Sequence, residues 1–295
     1  MAELALDPPP ARIARLAASV RRGGAKLWIG AALVAILVLV ALFAPVIAPH
    51  DPAEQDLLSA QLPPAWVQGG EAAYPLGTDS LGRCVASRLI YSARTAVAVA
   101  LVAATLAALI GIALGLVAGS FAGWIDQAIS RLIDVWMAFP PVLLSIVLAA
   151  VIGAGLTSVI AAIVVVDWTR FARVVRAETM VQLKRDYAAA ARVIGMSKGA
   201  TLRLEVLPNL VPLIVTLLAV EMGIAILVEV ILSFVGISVA GDTATWGGMI
   251  AEGRQIVYQA PWIMALPIGC IIISVIGLNL LGDGLRLALD PVQRR

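Results

Sequence analysis

Hydrophobic residues along this chain fall into a few long runs separated by short polar stretches. A helix that crosses a membrane needs about 20 apolar residues, and five runs approach or reach that length: Trp28–Ala48, Ala96–Ala118, Val135–Ile152, Val211–Phe234 and Trp262–Leu281. A sixth, Leu156–Val166, is short on its own and is cut off from the third by Gly153-Ala154-Gly155, which reads as a tight turn. It gains spanning length if an amphipathic helix continues through Trp168 and Phe171. The pattern predicts an all-α fold: a polytopic transmembrane bundle of six spans, the fourth the least apolar. The first run is longer than the 7–15 residues usual for the apolar core of a secretion signal, and Pro49 follows the small-residue site, so it reads as an uncleaved signal-anchor.

Charge sets the orientation. With the N-terminus inside, the inner segments are 1–27, 119–134, 167–210 and 282–295, and they hold 17 of the 21 Lys and Arg residues. The positive-inside rule therefore predicts an N-in, C-in topology. Arg83, Arg88, Arg94 and Arg254 fall outside, with Arg94 placed to snorkel at a helix end. Arg12, Arg15, Arg21, Arg22 and Lys26 make residues 1–27 a basic cytoplasmic segment suited to anionic lipid. The first span covers 28–48, an extracytoplasmic loop 49–94, a five-span core 95–284 and a cytoplasmic tail 285–295.

Composition agrees. Hydrophobic residues make up 61% and charged residues 14%, with a mean hydropathy of +0.98, far from the roughly 25% charged usage of soluble domains. A net charge of +2, with its basic residues localised, gives no reason to expect a nucleic-acid partner. Cys84 and Cys270 are too few and too far apart for a disulfide framework or a thiolate metal site. His50, beside a Pro-rich stretch and without partners in sequence, reads as a solvated loop residue.

The most informative polar stretch is 167–210. Its Arg170, Arg173, Arg176, Lys184, Arg185, Arg192, Lys198 and Arg203 serve topology at the least. Ala188–Ala191 is a strong helix start with a smooth face. Gly195 and Gly199 are expected to break that helix, Ser197 to cap the next one, and Pro208-Asn209 to end it. The product is a short helix across the membrane surface, held at both ends by a span.

These residues carry a family resemblance. The alanine helix, Gly195 and Val206-Leu207-Pro208-Asn209 resemble the cytoplasmic "EAA" loop of ABC importer membrane subunits. Pro75-Leu76-Gly77-Thr78-Asp79-Ser80-Leu81-Gly82-Arg83 resembles the PLGTD-x-x-GR segment of dipeptide, oligopeptide and nickel permeases. Arg131-Leu132-Ile133-Asp134 with Ala138-Phe139-Pro140 resembles their third-span entry. Leu232-Ser233-Phe234-Val235-Gly236, Trp246-Gly247, Asn279 to Arg286 and Leu289-Asp290-Pro291 continue the match to the end of the chain. In order and in register with the spans, these motifs point to a C-type subunit with the type I importer permease fold.

The resemblance implies that the 186–209 loop docks in a cleft of an ATP-binding subunit, with Asp186, Ala189, Ala190, Ala191, Gly195, Leu207 and Pro208 as the coupling residues. It implies a second permease, two ATP-binding subunits, a periplasmic or lipid-anchored substrate-binding protein, and a bacterial or archaeal inner membrane. Two positions depart from the pattern. Ala189 stands where the loop's Glu is expected, which leaves Asp186 and Arg185 to supply polar contacts. Cys84 stands where an acid usually follows Gly-Arg, which leaves Asp79 and Arg83 as the polar pair of the outer loop.

No Gly-x-x-x-x-Gly-Lys-Ser/Thr run occurs, so ATP and Mg²⁺ belong to partners and this chain is expected to bind no cofactor and catalyse no reaction. Glu221 and Glu229 lie inside an apolar run, where a charge is expensive. Eight residues apart, they are separated by about 80° around a helix and can share its inner face. Glu221 reads equally as a pathway residue and as a packing residue; Glu229 reads first as an interhelical hydrogen-bonder. Asp134 is an interfacial anchor or a mate for Arg131. The Pro-rich outer segment caps the bundle or docks a binding protein, and Trp246-Gly247 and Tyr258 suit an outer interfacial belt. The rival class is a self-contained secondary transporter using Glu221 and Glu229 for ion coupling, which would call for internal repeats or broken helices around an ion site. A channel or membrane enzyme lacks its filter or catalytic set.

Overall fold

The computed structural model describes residues 24–237 and 243–289. The basic residues Arg12, Arg15, Arg21 and Arg22 and the Asp290-Pro291 end of the last motif lie outside that range. Among the described residues the chain is all-helical, with an isolated two-residue bridge, Thr78 to Cys84, as its extended pairing.

Helix α1, Gly24–Leu42, is followed by the single turn α2, Ala44–Ile47. The first predicted span is thus interrupted near Phe43, because Pro45 brings no N–H with which to continue the ladder. Helix α3, Val85–Ser120, begins well before the expected Ala96 and runs for 36 residues. The irregular segment before it ends at Cys84, so residues 85–94 of the expected loop are helical. The third predicted span is not one helix. It divides into α4, Trp124–Met137, and α5, Pro141–Ile152, bent by 86°. Pro140 and Pro141 lack two consecutive donors and hold the linker extended.

After the Gly153–Gly155 turn, where both glycines take positive φ, helix α6 runs from Leu156 to Gln182. The expected continuation through Trp168 and Phe171 is present. Then come α7, Asp186–Val193; α8, Lys198–Thr201; a π-turn, Leu202–Val206; and α9, Leu207–Phe234. Helices α10, Trp246–Gln255, and α11, Trp262–Leu289, complete the order, with α11 helical beyond the expected core boundary at 284. Four helical stretches are long and apolar enough to cross a membrane, Gly24–Leu42, Val85–Ser120, Lys198–Phe234 and Trp262–Leu289, or five if the bent α4–α5 pair counts as one span. Helix α6 is not among them. Asp167, Arg170, Arg173 and Arg176 interrupt its apolar run.

Helix α3 organises the bundle. Its Ala103, Ala107, Gly111, Gly115 and Gly119 recur every four residues, so small side chains form one stripe. There α6 comes so close that a Cβ on Gly111 would lie 2.4 Å from Phe171 Cβ and from the Trp168 carbonyl oxygen. Gly115 and Gly119 meet Ala172, Val175, Arg176 and Thr179 in the same way. Small-residue stripes are how helices approach in a bilayer, where apolar burial supplies no drive to pair. Helix α1 packs on α11 by the same device, Gly30 against Leu281, Gly277 against Leu33 and Gly284 against Leu27, and Lys26 pairs with Asp283 at 3.6 Å.

Candidate coupling loop and buried charge clusters

The loop between α6 and α9 is built from local signals. Asp186 in the first turn of α7 and Arg192 in its last complement the helix dipole. Gly195 takes φ +85°, its N–H donates to the Arg192 carbonyl at 3.1 Å and Met196 N–H donates to Ala191 at 3.0 Å. This is a Schellman ending, which favours glycine at its left-handed position. The Ser197 hydroxyl accepts from Ala200 N–H at 3.2 Å and caps α8. Gly199 was expected to break the chain; it sits inside α8 instead.

Pro208-Asn209 does not end a segment either. Leu207 N–H reaches back five residues to Leu202, forming the π-turn, and Asn209 Nδ2 donates to the Glu205 carbonyl at 2.7 Å. Pro208 falls in the first turn of α9, where a missing donor is tolerated, so the helical path is unbroken from Lys198 to Phe234. On α7, Ala188 and Ala191 face inward, while Asp186, Ala189 and Ala190 are exposed. Beside them Val193 and Ile194 are 87% and 76% exposed. Arg192 Nη2 ties the loop back to the Leu183 carbonyl at 2.8 Å. Tyr187 donates to Gln182 Oε1 at 2.5 Å, and burial pushes its phenol above the ordinary value.

At the other end of the bundle, Asp79 and Arg83 do pair, Arg83 Nε donating to Oδ2 at 2.8 Å. Two further members complete the cluster. Arg88 also donates to Asp79, and Glu252 of α10 accepts from Arg83 Nη2 at 2.9 Å and from Arg88 Nη1 and Nη2 at 2.6 and 3.0 Å. Asp79 is 1% exposed and its Oδ1 accepts from Leu81 and Arg83 N–H at 2.9 and 3.0 Å. Two guanidiniums meet two carboxylates, so the cluster is balanced and fully bonded. It pins the outer segment and α3 to α10. Nearby, a hydrogen bond from Ser59 and then one from Leu58 N–H hold the Asp56 carboxyl below its ordinary value.

Midway along the bundle lies a different cluster. Glu221 of α9 is 3% exposed and Asp167 of α6 is 2% exposed. Both reach one guanidinium, Arg170 Nη2 at 3.5 Å from Asp167 Oδ1 and Arg170 Nη1 at 3.6 Å from Glu221 Oε2. Glu221 Oε1 is buried without a hydrogen-bond partner. Glu229, also buried, accepts from Ser233 on its own helix at 2.5 Å. The sequence singled out Glu221 but not its contacts, because Asp167 and Arg170 lie in a different helix.

Other positions move. Asp134 pairs with Arg173 at 2.8 Å rather than with Arg131. Trp246 is buried and donates Nε1 to the Leu89 carbonyl at 3.2 Å, so it holds α10 to α3 instead of joining an interfacial belt; Tyr258 is exposed. His50 is half-buried and stacks on Tyr74 at 4.8 Å. No group of three or more metal-ligating side chains occurs among the described residues.

A helical bundle with several membrane-length helices and an exposed loop held between two long helices defines a polytopic membrane protein. The chain belongs to the family of binding-protein-dependent transport system inner membrane components, whose model matches residues 111–295. Residues 27–64 match the N-terminal transmembrane domain of oligopeptide transport permease C, so the chain is an ABC importer permease of the C type, a multi-pass protein of the bacterial inner membrane. It is 40% identical to the di/tripeptide transport system permease protein DppC of Pseudomonas aeruginosa, over 87% of this chain and 84% of that one. The dipeptide transport system permease protein DppC of Escherichia coli is 41% identical, over 89% and 88%. The glutathione transport system permease protein GsiD of Shigella dysenteriae is 38% identical, over 88% and 84%.

Proposed function

We propose that this chain is one of two permease subunits of an ATP-driven, binding-protein-dependent importer of peptides or a related small solute such as a nickel chelate or an opine. It crosses the membrane six times with both ends inside, α6 supplying the least apolar span. It is non-catalytic: ATP and Mg²⁺ are held by two ATP-binding subunits, and a substrate-binding protein delivers cargo from outside. The observation that carries this reading is the exposed end of α7, where small and apolar side chains, Ala189, Ala190, Val193 and Ile194, stand open on a loop gripped by α6 and α9. A convex apolar tip of this kind fits a cleft on a partner. ATP binding that closes the partners moves the tip, and α6 and α9 carry the motion to the path between the two permeases. Peptide cargo is supported by the relatives named for dipeptide, tripeptide and glutathione transport. Glu221 and Glu229 are the acidic candidates for that path.

The test is affinity purification of the membrane protein from its own cells. Co-purifying ATP-binding subunits and a second permease, with uptake that stops when ATP hydrolysis is blocked, is the expected outcome. A solitary chain that transports without ATP overturns the reading.

A further inference from the structure

The two buried charge clusters differ in one respect that matters chemically. The Asp79 cluster is balanced, two cations to two anions, with contacts close to the 2.7–2.9 Å of strong charge-assisted hydrogen bonds. The Asp167–Arg170–Glu221 triad has two carboxyls and one guanidinium, and its contacts are loose at 3.5 and 3.6 Å. Among the described residues no second cation is paired with either carboxyl. The other arginines of α6 are engaged elsewhere, Arg173 with Asp134 and Arg176 with Asp126. Helix α5 and the 95–120 stretch of α3 carry no charged side chain, and α9 adds only Glu229. One of the two carboxyls therefore lacks a cation of its own in an apolar setting, and Glu221 Oε1 is the atom left without a hydrogen-bond partner. Arg170 is the open side of the triad, its side chain 33% exposed.

Depth fits a point on a transport route. Asp167 lies about 17 Å along α6 and Glu221 about 21 Å along α9 at 1.5 Å per residue, halfway down both helices. Resting on the importer reading above, we infer that the triad is a transient site for the primary ammonium group of a passing solute. The ammonium takes the place of Arg170 on Glu221, and Arg170 withdraws to Asp167. Empty, the triad has two carboxyls for one cation; occupied, each carboxylate has a cation of its own, which is the arrangement a low-dielectric site favours. Arg170 is the tethered cation that keeps Glu221 from standing bare between passages, and its loose geometry keeps the exchange inexpensive.

The experiment uses the purified importer complex without ATP, so that it does not depend on turnover. Dicyclohexylcarbodiimide adds to protonated membrane-buried carboxyls, the form open to Glu221 while it shares one guanidinium with Asp167, and mass spectrometry of the α9 peptide reads the adduct on Glu221. Ethylammonium and dialanine are expected to protect Glu221, and N-acetyl-dialanine is not. Arg170→Gln is expected to lower the protecting concentration of ethylammonium by about tenfold, since its competitor is gone, and Asp167→Asn to raise it by about as much, since Arg170 then has only Glu221 to pair with. A residue that merely holds the helices together would weaken the site in both variants. Equal protection by the N-acetylated probe, no protection by either amine, shifts of the same sign in the two variants, or an empty complex that does not label at Glu221 would each overturn the proposal. Failure of the importer reading shows up separately, as uptake by intact cells that is indifferent to ATP.

Discussion

Asp79 carries an unusual share of the outer structure on one carboxylate: two guanidiniums and two backbone N–H groups converge on it. Removing one partner from a buried ion cluster costs about 3–5 kcal/mol, because the rest stays buried and unpaired. Asp79→Ala is therefore expected to destabilise by that order, read as a lowered thermal transition in detergent. Glu252→Gln is expected to cost much less, its side chain being 35% exposed. Gly82 gives a second test. Its φ is +73° and a Cβ would meet the Asp56 carbonyl oxygen at 1.8 Å, so Gly82→Ala adds a clash to the roughly 1–3 kcal/mol of a strained backbone. Gly123→Ala, with φ +91° and nothing within 4 Å, bears the strain alone and should lower the transition less. The Asp79–Arg83 pair was legible through the resemblance of residues 75–83 to the PLGTD-x-x-GR segment. Arg88 was visible only as a cation on the wrong side of the charge count. Glu252, 169 residues from Arg83, carried no local signal.

At the level of elements, hydropathy reads length well and direction poorly. It located α1, α3, α9 and α11, and the glycines at 153 and 155 marked the α5–α6 turn. A run of apolar residues says nothing of a bend, so the break at Pro140-Pro141 was lost inside one predicted span. The reading of Pro208-Asn209 as the end of a segment failed as well. Pro140 caps and Pro141 opens α5 after α4 has ended at Met137, just as Pro208 lies in the first turn of α9, where the missing donor is tolerated. The four-residue spacing of Ala103, Ala107, Gly111, Gly115 and Gly119 was present in the sequence as a packing signal and is the reason α3 and α6 meet. Gly111→Leu is expected to force the pair apart, since even a Cβ lies 2.4 Å from α6, and to abolish accumulation of folded protein in the membrane fraction. Gly269→Leu on α11, where nothing lies within 4 Å, should accumulate normally. Equal levels of both variants would remove α3–α6 apposition as the organising contact.

For the molecule as a whole, α6 and α9 are joined by the loop that carries α7 and touch along their length, at Val175 and Leu210 near the loop and at Arg170 and Glu221 farther on. On the proposed coupling role, a push on α7 would be carried along both helices to that contact. The sequence conveyed α7, through its alanines and Gly195, but not the tip: Val193 and Ile194 read as ordinary helix residues until their 87% and 76% exposure is seen. With Ala189 where an acid is expected, apolar contact from this tip is expected to add to whatever Asp186 and Arg185 supply. Gly195→Trp is expected to uncouple ATP hydrolysis from uptake in an inserted complex. There is room for the side chain, with nothing within 4 Å, but φ +85° resists it, so the variant alters loop path and docking surface together. Val193→Asp with Ile194→Asp separates the two. Both side chains are solvent-exposed in the lone chain, so the change leaves folding intact, yet it places two carboxylates where a partner's cleft must desolvate them. Loss of about tenfold or more in affinity for the ATP-binding subunits is expected, measured by titration in detergent, with the Gly195–Arg192 turn and the thermal transition unchanged. If the doubly charged tip binds those subunits as tightly as the native one, α7 is not the docking element, and force must enter the bundle elsewhere.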